Sequence, residues 1–457
     1  ATGAAISSNL GRLFHINSKT RSLLIACASA GAISSIFQSP IAAIIFAVEV
    51  FSLDLTMISM LPLLLASISG VLTSYFFMGN EVLFNFKITE SFEVKDTLFY
   101  VLLGVGTAVA SIYFTKMYFG IINLFKPLKS PKYRLLVGGL AIGIMLYMIP
   151  PLYGEGFVFI NILLIGDHIQ ALGKTPFDAY RSNIWVIIAL LFGITIFKAV
   201  AMTTTLAAGG AGGIFIPTMV MGSALGNVVA KLINNSGLGF SVSESNFTLI
   251  GMAGLIAGVQ HAPLTAIFLI AEITGGYALF VPLMITASIS YIITKNTIDY
   301  TIYTRELAES GNLITHNKDH AVLTLMELDT VIETNFKTVH PEMTLGEMLH
   351  DSVAKSTRNI FPVVDTYHKF LGVILLDDIR EFMFDTKLYA TTKVETFTHK
   401  APDLIYYGKD SMQTVMQKFQ DSGAWNLPVV KDGEYMGFVS KSKLLTAYRR
   451  ELIKFTK

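Results

Sequence analysis

Seven stretches in the first three hundred residues are almost wholly apolar: 22–50, 55–78, 97–125, 134–152, 184–206, 214–234 and 247–295. Several are about 20 residues or longer, enough to cross hydrocarbon as helices. Others are cut by Gly or Pro and read as tilted or re-entrant pieces. Near residue 304 the pattern changes: charges become frequent and apolar runs shrink to four or five residues. Helical membrane segments are therefore predicted before that point and a soluble domain after it.

One interruption carries more information than the rest. In Thr205-Leu-Ala-Ala-Gly209-Gly-Ala-Gly-Gly213-Ile-Phe-Ile-Pro217 four glycines break an apolar stretch, which restarts as a helix opening near Pro217. Unpaired backbone at membrane depth survives only where protein buries it or where it lines a cavity. A glycine-rich turn feeding a helix start presents free amide N–H groups and the positive end of the helix dipole, a seat for an anion. The competing reading is a hinge or close small-residue packing. No Gly-Lys-Ser/Thr follows, which argues against a nucleotide P-loop.

Composition agrees with a membrane chain. Hydrophobic residues make up 52% and charged residues 15%, against about 25% charge in soluble domains. Mean hydropathy is +0.56. A formal net charge of +1 suggests no nucleic-acid partner. The single cysteine, Cys27, sits in an apolar run, so a packing role is expected and an internal disulfide is excluded. Lys126-Pro-Leu-Lys129-Ser-Pro-Lys132-Tyr-Arg134 and the surroundings of Arg305 are basic, which favours the cytoplasmic side for both and for the soluble tail.

The chain repeats itself twice over. Residues 30–50 align with 253–273 at an offset of 223 without a gap, and seven of the twenty-one pairs are identical, Pro40/Pro263 and Glu49/Glu272 among them. Ser8-Asn-Leu10-Gly11 further resembles Ala224-Leu225-Gly226. Each half thus carries a broken-helix element followed by a Pro-started helix ending in a carboxylate. Duplicated halves with matching interruptions mark a transporter or channel whose site lies at the repeat interface. In the tail, Phe361-Pro-Val-Val-Asp365 with Leu371-Gly-Val-Ile374 matches Leu427-Pro-Val-Val430 with Met436-Gly-Phe-Val439. Amphipathic helices at 344–352 and 412–422 precede them, and others begin near Asp377 and Ser442. This is a β-α-β-β-α unit used twice, regulatory rather than catalytic.

These residues resemble a known family. Gly-Gly-Ile-Phe-Ile-Pro at 212–217 is similar to the G-x-F-x-P signature of CLC chloride channels and chloride/proton exchangers. Lys198 to Gly213, Tyr153-Gly-Glu-Gly156, and 253–274 followed by Tyr277-Ala-Leu-Phe-Val-Pro282 resemble other parts of that family. The tail resembles a pair of CBS domains. The resemblance implies an all-α polytopic membrane domain of inverted repeats with broken, re-entrant helices, plus an α/β CBS pair. The expected boundaries are 1–304 for the membrane domain, 305–325 for a linker, and 326–388 and 389–457 for the two CBS modules. It implies an integral protein of a bacterial plasma membrane with a cytoplasmic tail, homodimeric, carrying chloride or a similar anion without enzymatic chemistry or a metal.

By the same resemblance, backbone amides at Gly213, Ile214 and Phe215 coordinate the anion. A hydroxyl from Tyr300 or Tyr303 adds a donor, with Tyr300 preferred and an interfacial anchor as the plain alternative. The family's G-S-G-I-P motif and its gating glutamate fall before residue 1, so the chain is expected to lack the outer gate. Exchangers carry an inner glutamate ten residues after the Pro; counting from Pro40 places Val50 there, with Glu49 one position earlier. Valine cannot carry a proton, which favours channel-like conduction, with a chloride/proton antiporter as the alternative. Glu49 and Glu272 read either as ion-handling groups or as buried carboxylates that cap a neighbouring helix. Lys198 reads as an anion attractor or a snorkelling lysine, and His261 as a cap rather than a ligand. In the tail, Asp378 matches a ribose-holding position and Thr357 or Ser440 a phosphate-binding one, so one adenine nucleotide is conceivable beside a ligand-free dimerisation role. A membrane-anchored nucleotide sensor is the reading from another functional class.

Overall fold

The apolar runs at 22–50 and 247–295 do not form single helices. A computed structural model describes residues 2–456 apart from 52, 54–55, 80–83, 85–91, 181–182, 238, 310–321 and 325. Most of the expected linker thus lies outside the described residues. In the first run, α2 (Ser18–Phe37) stops at Gln38 and α3 (Pro40–Phe51) restarts two residues later. In the second, α11 (Glu244–Gln260) stops at His261 and α12 (Pro263–Ile273) restarts. Gln38 and His261 share a left-handed backbone, each with φ of 54°, and are 223 positions apart. Proline lacks the N–H that would continue a helix but suits the first turn of a new one. The repeat is therefore one of backbone geometry as well as of residues.

The other helices of this unit follow in chain order. α1 (Thr2–Leu13) precedes the first pair and α4 (Met57–Met78) follows it. Then come α5 (Thr97–Phe125), α6 (Pro131–Met148), α7 (Phe157–Leu164), α8 (His168–Leu172), α9 (Ile184–Ala207) and α10 (Phe215–Asn234). α13 (Phe280–Thr297) completes it, and the short α14 (Arg305–Glu309) spans the division after Glu306. Among the described residues five helical spans are long and apolar enough to cross a membrane, beginning at Thr20, Met57, Val94, Ile184 and Phe215. α11 is buried at every position from Asn246 to Gln260, as an all-round apolar helix must be at the centre of a bundle.

Glycine sets how tightly this centre closes. Gly222 and Gly226 of α10 lie against the backbone of α11, and a methyl group at Gly226 would stand 1.9 Å from the Phe247 carbonyl oxygen. Small residues let helix backbones approach and gain van der Waals contact where lipid supplies no hydrophobic drive. At the far end of α10, Lys231 is 1% exposed. Its Nζ donates to Glu244 at 2.5 Å and lies 3.2 Å from His168 Nδ1. A buried ammonium is tolerable only when paired in this way.

Residues 307–457 form the second unit. Its order is β1 (Ile332–Glu333), α15 (Leu345–Met348), β2 (Ile360–Val364), β3 (Phe370–Leu375) and α16 (Leu376–Ile379), then β4 (Ile405–Tyr406), α17 (Met412–Ser422), β5 (Asn426–Lys431), β6 (Glu434–Ser440) and α18 (Lys441–Thr456). The duplicated β-α-β-β-α pattern is present. The first helix is a four-residue α turn that continues as a π turn over Leu349–Val353, not one even helix. β1 leaves its own module and pairs antiparallel with β6, giving a sheet ordered β1-β6-β5-β4 beside a β2-β3 hairpin. The two modules are thereby tied by backbone.

Two outcomes are expected from this packing. Gly226→Ala should lower stability by about 1–3 kcal/mol, the usual cost of overpacking, read as a fall in melting temperature in detergent. Burial first, then the Lys231 charge, hold His168 below its ordinary value of 6.5. A depressed pKa means the unfolded chain binds more protons, so this contribution is whole above pH 6.5 and is lost as pH falls below it. The melting temperature of wild type should drop between pH 7.5 and 5 by more than that of His168→Gln.

Candidate functional site

The two carboxylates that end the repeated helices are each placed at the start of the other. Glu49, at the end of α3, accepts from the Leu264 amide at 3.0 Å, the Thr265 amide at 2.7 Å and the Thr265 hydroxyl at 2.6 Å. Glu272, at the end of α12, accepts from the Ile41 and Ala42 amides at 3.1 and 2.8 Å. The first amides of any helix lack internal partners and carry the positive end of its dipole. Because each C-terminal carboxylate meets the other helix's N-terminus, α3 and α12 are antiparallel, and the repeats are inverted. Of the two readings of these glutamates, the geometry is that of a helix cap. Val50 follows on α3, half-buried.

The glycine break lies where these halves meet. Residues 210–213 are irregular, α10 starts at Phe215, and Ile214 occupies its cap position without a side-chain partner. Among the described residues, no hydrogen bond engages the amides of Gly213, Ile214 or Phe215. Ala211, Gly212 and Gly213 are exposed while Ile214 is buried, so the open amides border accessible space. The Phe215 ring packs between the repeats, 5.5 Å from Phe37 at the end of α2 and 6.0 Å from Phe46 of α3. Neither composition, motif nor the alignment of the halves reveals this aromatic cluster: Phe37 and Phe46 align with Gln260 and Leu269, and Phe215 lies outside the aligned segments.

The segment after α13 approaches the same turn. Ile302 packs into the buried cluster that holds Ile214, Met221 and Leu255. Tyr300 and Tyr303 flank it and are almost equally exposed, at 44% and 43%. The Tyr303 hydroxyl is within electrostatic reach of Tyr118 on α5, and Arg305 stacks over Phe119 at 4.1 Å. Lys198 differs from both expectations. It is 2% exposed and donates to the Leu152 and Gly154 carbonyls at 3.0 and 2.9 Å, so it ties the entry of α7 instead of facing solvent or an interface. His261 is the left-handed cap of α11, its ring edge-on to Tyr291 at 6.0 Å.

In the second unit a cavity of about 280 Å³ is lined by Phe336, Thr357, Arg358, Asn359, Asp377 and Asn426 among others. Thr357 is among them. Asp378 and Ser440 are not among the lining residues. Asp378 instead caps α16, accepting from the Leu375 amide at 3.0 Å; Ser440 donates to Glu333 at 3.2 Å. The neighbouring Asp377 lines the cavity and pairs with Arg380 at 2.5 Å, while Asp378 turns back onto the backbone. Among the described residues there is no cluster of His, Cys, Asp or Glu suited to a metal.

Comparison with known proteins matches this geometry to a family. The family model described as voltage gated chloride channel matches residues 1–295, and the CBS domain model matches 328–385 and 402–450. The chain is 24% identical over 289 residues to the voltage-gated ClC-type chloride channel ClcB of Citrobacter koseri, covering 63% of this chain and 65% of that protein. It thus spans about two thirds of the length of such curated relatives. In fold it is similar to a slow cyanobacterial Cl−/H+ antiporter, with a TM-score of 0.54 at 20% identity over 67% of this chain and 69% of that one. A CLC-type fluoride/proton antiporter gives 0.52 at 23% identity over 66% and 69%.

The capping geometry predicts how Glu49 behaves when altered. Hydrogen bonds to a charged group contribute about 1.5–3 kcal/mol each. Glu49→Ala and Glu272→Ala should each cost about 2 kcal/mol or more, seen as earlier thermal unfolding in detergent. A glutamate that only relayed protons would leave the melting curve unmoved.

Proposed function

The chain belongs to the voltage-gated chloride channel family, and from that premise we propose that it moves chloride or a similar small anion through a seat at the open amides of Gly213, Ile214 and Phe215. The observation that carries this reading is a helix start inside an inverted-repeat bundle whose first N–H groups have no protein partner and border accessible space. Burying a bare ion is costly, so several partial charges must replace its water. Neutral amides do this without a Lys or Arg that would trap the ion, and conduction needs release as much as binding. Lys198, already holding two carbonyls, is not the anion's counter-charge.

Channel-like conduction is the favoured form, because Val50 offers no proton acceptor where an inner glutamate would stand, and Glu49 is engaged by three donors at the start of α12. Coupled exchange is the second reading; two solved structures with a similar fold are antiporters. We further propose a homodimer with the tail in the cytoplasm, in keeping with the basic α5–α6 loop. An adenine nucleotide in the tail cavity would meet Asp377 and Thr357, and the Arg358 guanidinium, which pairs with Glu333 at 2.9 Å. No covalent chemistry is assigned to any residue.

The reading is tested with the full-length protein in liposomes loaded with chloride, recording anion efflux and external pH together. Efflux without uphill proton movement is expected. Stoichiometric proton counter-movement would favour exchange, and no flux would favour a membrane-anchored sensor. Tyr300→Phe is expected to weaken chloride binding by about 2- to 10-fold, the value of one lost hydrogen bond, and Tyr303→Phe to leave it unchanged in calorimetric titration.

A further inference from the structure

We propose that the α5–α6 hairpin carries a binding site for the headgroup of an anionic phospholipid. The loop presents Lys126, Lys129 and Lys132, all exposed. Among the described residues none of the three is in an ion pair. No Asp or Glu occurs between Asp96 and Glu155, so the helices that bear the loop supply no local counter-charge. The cations are held in a stiffened turn. Pro127 and Pro131 restrict its backbone, and Arg134 Nε donates to the Leu128 carbonyl at 2.5 Å. A pre-shaped cluster loses little conformational freedom on binding.

The surface beside these cations names the partner. Leu124 is 72% exposed, Leu135 69% and Leu136 65%, each within about a turn of a lysine, and Tyr133 stands among them at 67%. Acyl chains satisfy exposed leucines, a phosphate satisfies the lysines, and tyrosine favours the level between them. An anionic phospholipid joins these two chemistries in one molecule. An acidic protein surface would neutralise the lysines but leave the adjoining leucines unsatisfied, and a free anion would do the same. The ligand class is thus a glycerophospholipid with net negative headgroup charge. Positive residues near a membrane surface typically strengthen such attraction by about fivefold each.

The full-length protein is placed in nanodiscs of equimolar phosphatidylglycerol and phosphatidylcholine, then extracted and examined by native mass spectrometry for retained lipid. Wild type should retain phosphatidylglycerol over phosphatidylcholine by tenfold or more, on the order of the per-residue attraction compounded. The triple variant Lys126→Gln, Lys129→Gln, Lys132→Gln should retain the two equally. The triple Lys→Arg variant should keep the preference, and unchanged melting of both variants excludes misfolding as the cause. Equal retention of both lipids by wild type overturns the proposal. So does a lysine-directed crosslink from Lys129 to residues 307–457 formed at the same yield in discs of phosphatidylcholine alone, which would place protein there instead.

Discussion

Two carboxylates, each closing the first turn of a helix from the other half, hold the membrane unit in register. A short helix in a lipid-facing bundle has unpaired amides at its start, and no water is at hand to satisfy them. Glu49 and Glu272 solve this reciprocally across sequence separations of more than two hundred residues. Charge meets dipole at both ends of one antiparallel pair, so neither half's short helix is satisfied without the other. The arrangement leaves the twofold relation between the halves with little freedom.

That satisfaction contrasts with the start of α10. α3 and α12 have their amides covered, whereas α10, entered through a glycine break, has none covered among Gly213, Ile214 and Phe215. Elsewhere along α10 the glycines serve packing: Gly222 and Gly226 admit the α11 backbone at distances a side chain would forbid. Within fifteen residues glycine therefore acts in two ways, opening backbone at one end and closing helices together further on. The Phe215 ring, wedged against Phe37 and Phe46, ties the open end to the first half.

The second unit applies the same economy by strand exchange. β1 pairs with β6, so a strand of the first module completes the sheet of the second. The cavity between them draws Phe336, Thr357 and Asn426 from distant parts of the chain. Arg358 is held over the Phe336 ring at 4.9 Å and paired with Glu333, so its charge is set in place before any ligand arrives.

Residue pattern alone determined the class, the division near residue 304, the duplicated halves and the break at 205–217, because apolar run length, proline, and glycine act locally on the backbone. It left the capping role of Glu49 and Glu272 as one of two readings, since a carboxylate at the end of an apolar helix can handle ions or close a neighbouring helix start. Which helix each glutamate caps was decided only by tertiary structure, for the partner amides lie in the opposite repeat. The same holds for Lys198, whose burial against the Leu152 and Gly154 carbonyls no local rule foretells. Asp377 and Asp378 show the finest case: adjacent, identical side chains point to different surroundings because a helix start rotates each residue by about a hundred degrees, and only the packed fold says which faces the cavity.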